Sequence, residues 1–279
     1  MSVRERSAPR VRVALRVAAL WLSLAATASA HDLFLRATSF FAAPNSAVTI
    51  RLLNGTYDKS AAPIEANRLR DASVVSPSGR APLDTSTWRV TGANTAFTVR
   101  TGATGTYVVG ISTKPRELTL TGKDFAAYLA EEGVDDVLAA RKAKGTLADS
   151  ARERYEKHAK LLLQVGDARV GAIDQPLGYP AELVPLDNPY AMPRPASVRV
   201  RAMVDGRPVP GLTVLTGGRT RGGSKVAGAR LHADKDGVVV VALKGSGQRY
   251  VQFIRMVPLT DGGPVNYHSK WATLTFELR

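Results

Sequence analysis

Hydrophobic and polar residues alternate in several short stretches between residues 31 and 120. In AVTIRLL, Val48, Ile50 and Leu52 occupy every second position, which predicts a half-buried β-strand. AFTVRTGATGTYVVGIS predicts two further strands around a glycine-rich hairpin. Its core candidates are Phe97, Val99, Tyr107 and Val109. Short strands at this close spacing predict a β-sandwich domain over residues 31–120.

The periodicity becomes helical after residue 120. The apolar residues of this stretch at near-helical spacing are Phe125, Leu129, Val134 and Leu138. Thr121, followed three residues later by Asp124, resembles a capping box at a helix start. We expect Gly133 to divide the stretch into two short helices.

The charged stretch ADSARERYEKHAKLLL predicts a third helix from about Ala148 to Leu163. Its charged residues would form a solvated face, and the inward-facing residues would be Tyr155, Ala159 and Leu162. Residues 121–165 are therefore interpreted as a helical segment.

Six of the sixteen prolines fall between residues 176 and 195. Proline at this density favours extended chain and excludes helix, so residues 166–195 are predicted to be a linker. SVRVRAMV then resumes strand alternation, and five more such stretches follow before residue 279. The sequence as a whole predicts a mostly β protein with two β-sandwich domains, 31–120 and 196–279, and a short helical insertion between them.

The first thirty residues have the three parts of a secretory signal. Five arginines within residues 1–16 precede an apolar run, and the stretch ends in Ala28-Ser29-Ala30. The apolar run is shorter than the roughly twenty residues of a membrane span. We therefore predict that residues 1–30 are a cleaved signal peptide, with a retained N-terminal anchor as the alternative. No later stretch predicts an integral membrane segment in the mature chain.

Composition excludes some functions. The chain has no cysteine and a formal net charge of +14. Without cysteine there is no thiolate metal site and no cysteine nucleophile. Lysine and arginine are scattered, without runs or interleaved aromatic residues, which argues for a basic solvated surface and against nucleic acid as a partner.

Enzyme motifs are missing as well. The sequence contains no His-Glu-x-x-His and no Gly-x-Ser-x-Gly. GGRTRGGSK, residues 217–225, has the glycine spacing of a phosphate loop, but Gly223-Ser224 stands where Lys-Ser or Lys-Thr is required. We interpret it as a hairpin loop and predict that the protein is not an enzyme. Trp88 and Trp271 fit strand positions, and we expect them in the core.

Cleavage after Ala30 would make His31 the first residue of the mature chain. Its free α-amino group and its ring Nδ1 could then chelate one metal ion. These groups have pKa values of about 7.7–8.0 and about 6.5, so a metal can displace their protons near neutrality. Nitrogen donors in a planar or tetragonal arrangement suit Cu(II) or Ni(II). The alternative is that His31 merely follows the cleavage site.

A second imidazole would complete a three-nitrogen site with His31. His268, placed just before the predicted last strand, is favoured over His232, which precedes a turn. His158, on the predicted charged helix, is the least favoured. Tyr267 and Asp32 are candidates for an axial contact and for orienting His31. The alternative for all three internal histidines is ordinary surface exposure.

A set of motifs appears in a recognisable order along the chain. They are HDLFL, GTYVVGISTKP, FAAYLAEEG, RERYEKHAKLL, ELVPLDNPY, DGRPVPGLTV, DKDG and SKWATLTFEL. In this order the chain resembles the family of periplasmic proteins called domain of unknown function 4198, whose members are often labelled as the periplasmic component of cobalt or nickel transport. The resemblance implies a double β-sandwich with an immunoglobulin-like or transthyretin-like C-terminal half. Phe34 and Arg36 depart from the family's usual tryptophan and acidic residue.

Three hypotheses about function follow. The first is a periplasmic transition-metal-binding accessory protein, for Cu, Ni or Co, with a metal-transport system or a TonB-dependent receptor as its partner. The second is a non-catalytic immunoglobulin-like binding or adhesion module. The third is a copper-dependent oxidative enzyme, since a chelating N-terminal histidine can also activate oxygen.

Overall fold

A computed structural model describes residues 32–191 and 196–279, so the predicted signal peptide and His31 lie outside the described residues. The fold is mostly β, with two α-helices in the described residues. The helices are α1 Gly122–Glu131 and α2 Asp135–Ala143. The strands of the first half are β1 Asp32–Ala37, β2 Phe41–Ala42, β3 Ala47–Gly55, β4 Leu69–Ser76, β5 Gly79–Pro82, β6 Arg89–Thr91, β7 Asn94–Arg100, β8 Gly105–Thr113, β9 Arg116–Leu120 and β10 Ala151–Val165. The strands of the second half are β11 Ala181–Pro185, β12 Ser197–Val204, β13 Arg207–Pro208, β14 Thr213–Thr220, β15 Lys225–His232, β16 Val238–Ala242, β17 Gly247–Pro258 and β18 Tyr267–Leu278.

The alternating stretches form the strands that they predict. Val48, Ile50 and Leu52 are buried in β3, and Thr49 and Arg51 between them are exposed. All four core candidates of the next two strands are buried as well. GGRTRGGSK connects β14 and β15 as a hairpin, which confirms that interpretation.

Both helices predicted before residue 145 are confirmed. The Thr121 hydroxyl accepts a hydrogen bond from the Asp124 backbone N–H at 3.2 Å and caps α1. Gly133 lies between α1 and α2 with φ +75°, a conformation that favours glycine. Phe125 and Leu129 are fully buried against the sheet.

The predicted third helix is wrong, because its residues form β10, a strand of fifteen residues. The buried polar residues of this strand are Glu153, Glu156, Lys157, His158, Lys160 and Gln164. Their partners come from distant parts of the chain; Lys160, for example, forms an ion pair with Glu182. Tertiary contacts therefore override the local helix propensity of this stretch.

A ten-stranded sheet joins the two halves of the chain. Its strand order is β15-β14-β17-β18-β10-β8-β4-β5, with β2 and β9 also paired to β10. β10 and β18 run parallel, with Tyr155 opposite Ser269 and Ala159 opposite Thr273. The predicted boundary at residue 120 falls between β9 and β10, which pair within this sheet, and β11, inside the predicted linker, pairs with β12 beyond the boundary at residue 195.

The ten-stranded sheet lies between two smaller sheets, as the alternation along β10 shows. Leu161 and Leu163 pack with β1, β3 and β7 of the sheet β1-β3-β7-β6. Leu162 points to the other face and packs with β11, β12 and β16, which form the third sheet together with β13. The helices pack on Trp271 and Ile254. Neither of the two described helices has the length and apolar character needed to cross a membrane.

Candidate functional site

A cavity of about 340 Å³ lies where the described chain begins, at the start of β1. Its acidic wall is formed by Asp32 of β1 and by Glu131 and Glu132 at the end of α1. Gln252 of β17 and Tyr250 complete this side. One peptide bond separates Asp32 from His31, so the cavity adjoins the predicted N-terminus of the mature chain.

Three elements bring the acidic wall together. β1 pairs with β3, with Asp32 opposite Gly55. The Thr273 hydroxyl of β18 donates a 2.5 Å hydrogen bond to the Leu33 carbonyl and fixes β1 against the central sheet. Glu131 and Glu132 stand at the C-terminus of α1, where the helix dipole disfavours negative charge. Helix stability therefore does not explain these two carboxylates.

Two of the carboxyl groups share one amide. The Gln252 side chain donates to Glu132 Oε2 at 3.1 Å and also hydrogen-bonds Asp32. Burial raises the pKa of Asp32 to about 7, against the opposing attraction of Lys157. Burial and the charge of Asp32 raise the pKa of Glu132 to about 9. The pair therefore holds protons near neutrality unless a cation replaces them.

Lys157 is the cation that most strongly lowers the pKa values of Asp32 and Glu132. It lies on β10, its side chain is buried, and its ammonium group donates to Asn54 Oδ1 at 3.0 Å. Burial lowers the pKa of Lys157 to about 8, although Asp32 and Glu153 oppose the shift. Burial also raises the pKa of Glu153 to about 7, against hydrogen bonds from Ser269 and Tyr128.

Aromatic rings line the cavity beside the acidic wall. Phe34, Tyr57 and Tyr250 pack together with ring centroids 5.0–5.4 Å apart. Asp58 also lines the cavity and forms an ion pair with Arg219. The cavity thus combines an aromatic wall, an ion pair and a group of carboxylates.

Carboxylate and amide oxygens can bind a cation, but these oxygens do not make a metal site alone. Among residues 32–191 and 196–279, no group of three or more histidine, aspartate or glutamate side chains is arranged to hold a metal ion. A metal ion at this cavity would need donors from outside the described residues, and His31 is the adjacent candidate.

The structure places His268 on a different face from this cavity. His268 is the second residue of β18, whereas the sequence places it just before the strand, and its Nε2 lies 3.2 Å from Glu156 Oε1. Side chains alternate along a strand, so Trp271 and Thr273 of β18 point to the side opposite His268. On that side, Thr273 contacts β1. His232 ends β15 and is exposed. The pairing of His31 with either histidine stays a prediction.

The expectation that His158 is a surface residue of a helix is wrong. His158 lies in β10 and is 2% exposed, with its Nδ1 2.9 Å from the Ser112 hydroxyl. Its Nε2 has no hydrogen-bond partner and lies 3.9 Å from Glu156 Oε2. Burial, together with cations led by Arg70, lowers the pKa of His158 to about 3. The ring is therefore neutral at physiological pH.

Both tryptophans of the described chain pack in apolar clusters, as expected. Trp271 is buried and stacks on Tyr128, with an angle of 7° between the rings. Trp88 stacks on Phe97 and donates to the Ile64 carbonyl at 2.9 Å.

Sequence reasoning missed most of the acidic wall. Glu131-Glu132-Gly133 at the end of a predicted helix is a usable signal, because acidic residues are unfavourable there. Gln252 lies within an ordinary strand pattern and carries no signal. Lys157 was assigned to the solvated face of the wrongly predicted helix.

The fold and the cavity define a mostly β protein with an acidic, partly aromatic cavity beside its ten-stranded sheet. The family model described as "Domain of unknown function (DUF4198)" matches residues 28–254, and the chain belongs to this family. The family resemblance is therefore confirmed. No curated protein matches the chain.

Two solved structures are similar to part of the chain. One is a DUF4785 family protein from Legionella pneumophila, with 9% identity and a TM-score of 0.25, covering 78% of this chain and 50% of that chain. The other is a tetra-tandem repeat in the extending region of a large adhesion protein, with 12% identity and a TM-score of 0.20, covering 88% of this chain and 49% of that chain. The chain spans about half the length of each.

Proposed function

We propose that this protein is an exported transition-metal-binding accessory protein whose site is the Asp32 cavity completed by His31. The observation that carries the proposal is a pair of carboxyl groups, the buried one of Asp32 and the half-buried one of Glu132, that share the amide of Gln252, with Asp32 directly following His31 in the sequence. Buried carboxylates without a full set of partners are costly unless a cation balances them.

The donor set fits a divalent transition metal. The α-amino group and imidazole of His31 would supply two nitrogens, and Asp32 and Glu132 would supply oxygens. Nitrogen donors with carboxylate suit Cu(II), Ni(II) or Co(II) better than Mg²⁺ or Ca²⁺. Because Asp32 and Glu132 hold protons near neutrality, binding releases protons and weakens as the pH falls.

The same proposal includes the periplasm as the location and the hand-over of the ion to a metal-transport system or a TonB-dependent receptor. The signal-like sequence of residues 1–30 and the family resemblance support these two parts. A division of the fold into two β-sandwich domains of immunoglobulin-like or transthyretin-like class also belongs to the proposal.

The test is a calorimetric titration of the chain that begins at His31 with Ni(II) and with Cu(II). We expect one ion per chain. An extra alanine before His31 converts the chelating amine to an amide and should weaken binding at least about tenfold, as should Glu132→Gln, since each removes a direct ligand. Asp58→Asn is the matched control, because Asp58 lines the same cavity but is paired with Arg219. Equal affinities for all four chains would contradict the proposal.

His268→Ala tests whether a second imidazole takes part. The His268 ring contacts Glu156 and lies on the face of β18 opposite to Thr273. If the substitution leaves the affinity unchanged while the N-terminal extension lowers it, the site consists of His31 and the carboxylates. A loss of affinity in His268→Ala would instead support the three-nitrogen site.

A further inference from the structure

A second cavity, of about 240 Å³, lies between α2 and the adjoining ends of β17 and β18. Arg141 and Lys144 line it from the end of α2 and the residue that follows. Arg255 and Val257 line it from β17, and Tyr267 lines it from β18. The cavity shares no lining residue with the Asp32 cavity, so its function is independent of the metal-binding proposal.

Arg141 is a buried cation without a balancing carboxylate. Its side chain donates to the Tyr267 hydroxyl at 3.3 Å and to the Thr146 and Asp149 carbonyls at 2.5 Å each. All three acceptors are neutral, and within the described chain no carboxylate forms an ion pair with Arg141, which is 5% exposed. Its Nε is buried and has no hydrogen-bond partner. The Phe125 ring, with its centroid 5.0 Å from the guanidinium carbon, offsets part of the cost of this buried charge, and an anion would offset more of it.

The other charges around the cavity leave a positive excess. Asp136 is the acidic lining residue, and its carboxylate pairs with Arg255 at 2.9 Å, which cancels those two charges. Lys144 forms no ion pair with any described residue. The cations that remain are Arg141 and Lys144, at one end of the cavity.

The cavity also has apolar lining residues. Val137 of α2 and Met256, Val257 and Pro258 of β17 line the cavity. Val257 is 38% exposed, which is unusual for a large apolar residue in this chain. The volume lies just below the roughly 300–1,000 Å³ of typical ligand pockets. These features suit a small ligand with one anionic group and a short apolar body.

We propose that this cavity binds a small organic monocarboxylate. The carboxylate would balance the charge of the Arg141 guanidinium and accept a hydrogen bond from the Lys144 ammonium group, and the apolar body would lie on Val257 and Pro258. Arg141 would then both tie down the loop after α2, through Thr146 and Asp149, and recognise the ligand.

The experiment is a titration of the chain beginning at His31 with benzoate and hexanoate, followed by two-dimensional NMR. Benzamide and hexanamide have nearly the same shape without the charge. We expect both acids to bind and to shift the NMR signals of residues of α2 and β17. The amides should bind at least tenfold more weakly, because they cannot form charge-assisted hydrogen bonds.

Two matched variants locate the binding on α2. Ala140 is exposed and lines the cavity, whereas Ala139 is exposed and does not. Ala140→Phe should fill the cavity and abolish acid binding, and Ala139→Phe should leave it unchanged. Lys144→Gln should weaken binding about tenfold without lowering the thermal unfolding temperature. Acids that fail to bind, that bind no better than amides, or that bind Ala140→Phe normally would each overturn the proposal and leave Arg141 a structural residue only.

Discussion

Replacing Asp32 with asparagine should stabilise the metal-free protein at pH 8. Asp32 is 8% exposed, and burial raises its pKa from 3.8 to about 7. The folded protein therefore holds this proton more tightly than the unfolded chain does. Stability falls as the pH rises from about 4 to about 7, because the folded state must ionise a buried carboxyl group that the unfolded chain ionises readily. Asparagine removes that penalty and keeps the shape of the side chain.

The size of the effect follows from the pKa values. A change from 3.8 to about 7 corresponds to an upper limit of about 4 kcal/mol at 1.36 kcal/mol per pKa unit. The substitution also removes a carboxylate that attracts the buried ammonium group of Lys157, and this loss reduces the gain in stability. We expect the free energy of unfolding to rise by about 2 kcal/mol at pH 8, and by progressively less towards pH 4.

The assay is urea unfolding of the chain beginning at His31, after chelator treatment, followed by tryptophan fluorescence at pH 5 and pH 8. Asp58→Asn is the control, because the hydrogen bond from Arg219 lowers the pKa of Asp58 and its ionised form should favour folding. That variant should gain no stability at pH 8. A loss of stability in Asp32→Asn at pH 8, or a gain that is the same at both pH values, would refute the reasoning about burial.

Two more outcomes are expected. Lys160→Met should destabilise the protein by about 3–5 kcal/mol, because it leaves the Glu182 carboxylate buried without its ion-pair partner. In urea unfolding the double variant Lys160→Met/Glu182→Gln should recover most of that loss, and an additive double variant would contradict the ion-pair argument. Intact mass of the exported protein should correspond to residues 31–279, and any other N-terminus would exclude His31 as an amine ligand.

Local signals predict the parts of this fold that local interactions determine. Val48, Ile50 and Leu52 alternate because β3 has one face on the core and the other in solvent. Thr121 and Asp124 mark the start of α1 because the cap is formed within four residues. Such elements can be predicted without knowledge of the rest of the chain.

β10 could not be predicted in this way. Its sequence is rich in alanine, glutamate, lysine and leucine, which are good helix formers. It is a strand because β8 and β18 pair with its two edges and because Glu182 and Ser269 satisfy its buried charged groups. Ser269 lies 116 residues from Glu153 along the chain, and β8 and Glu182 lie outside β10 on either side of it, so no local pattern records these contacts.

The candidate site shows the same division between local and long-range information. The small-residue cleavage signal and the histidine that follows it drew attention to residue 31, next to Asp32. Glu132 and Gln252 reach the same cavity from a helix and a strand that are far apart in sequence. Residue type alone favours His268 as the partner of His31. The His268 ring, however, contacts Glu156 on the other side of β18.

The Glu182 carboxylate and the carboxyl groups of Asp32 and Glu132 differ in how the fold balances their charge. Glu182 pairs with Lys160 and accepts hydrogen bonds from the Leu177 and Tyr179 backbone N–H groups at 2.7 and 2.8 Å. Its charge is balanced within the fold, so these contacts explain it. Asp32 and Glu132 instead share one amide donor beside a cavity and hold protons that folding makes harder to release. Burying these carboxyl groups lowers the stability of a fold that has no disulfide bonds to stabilise it. Binding a cation to them would restore that stability.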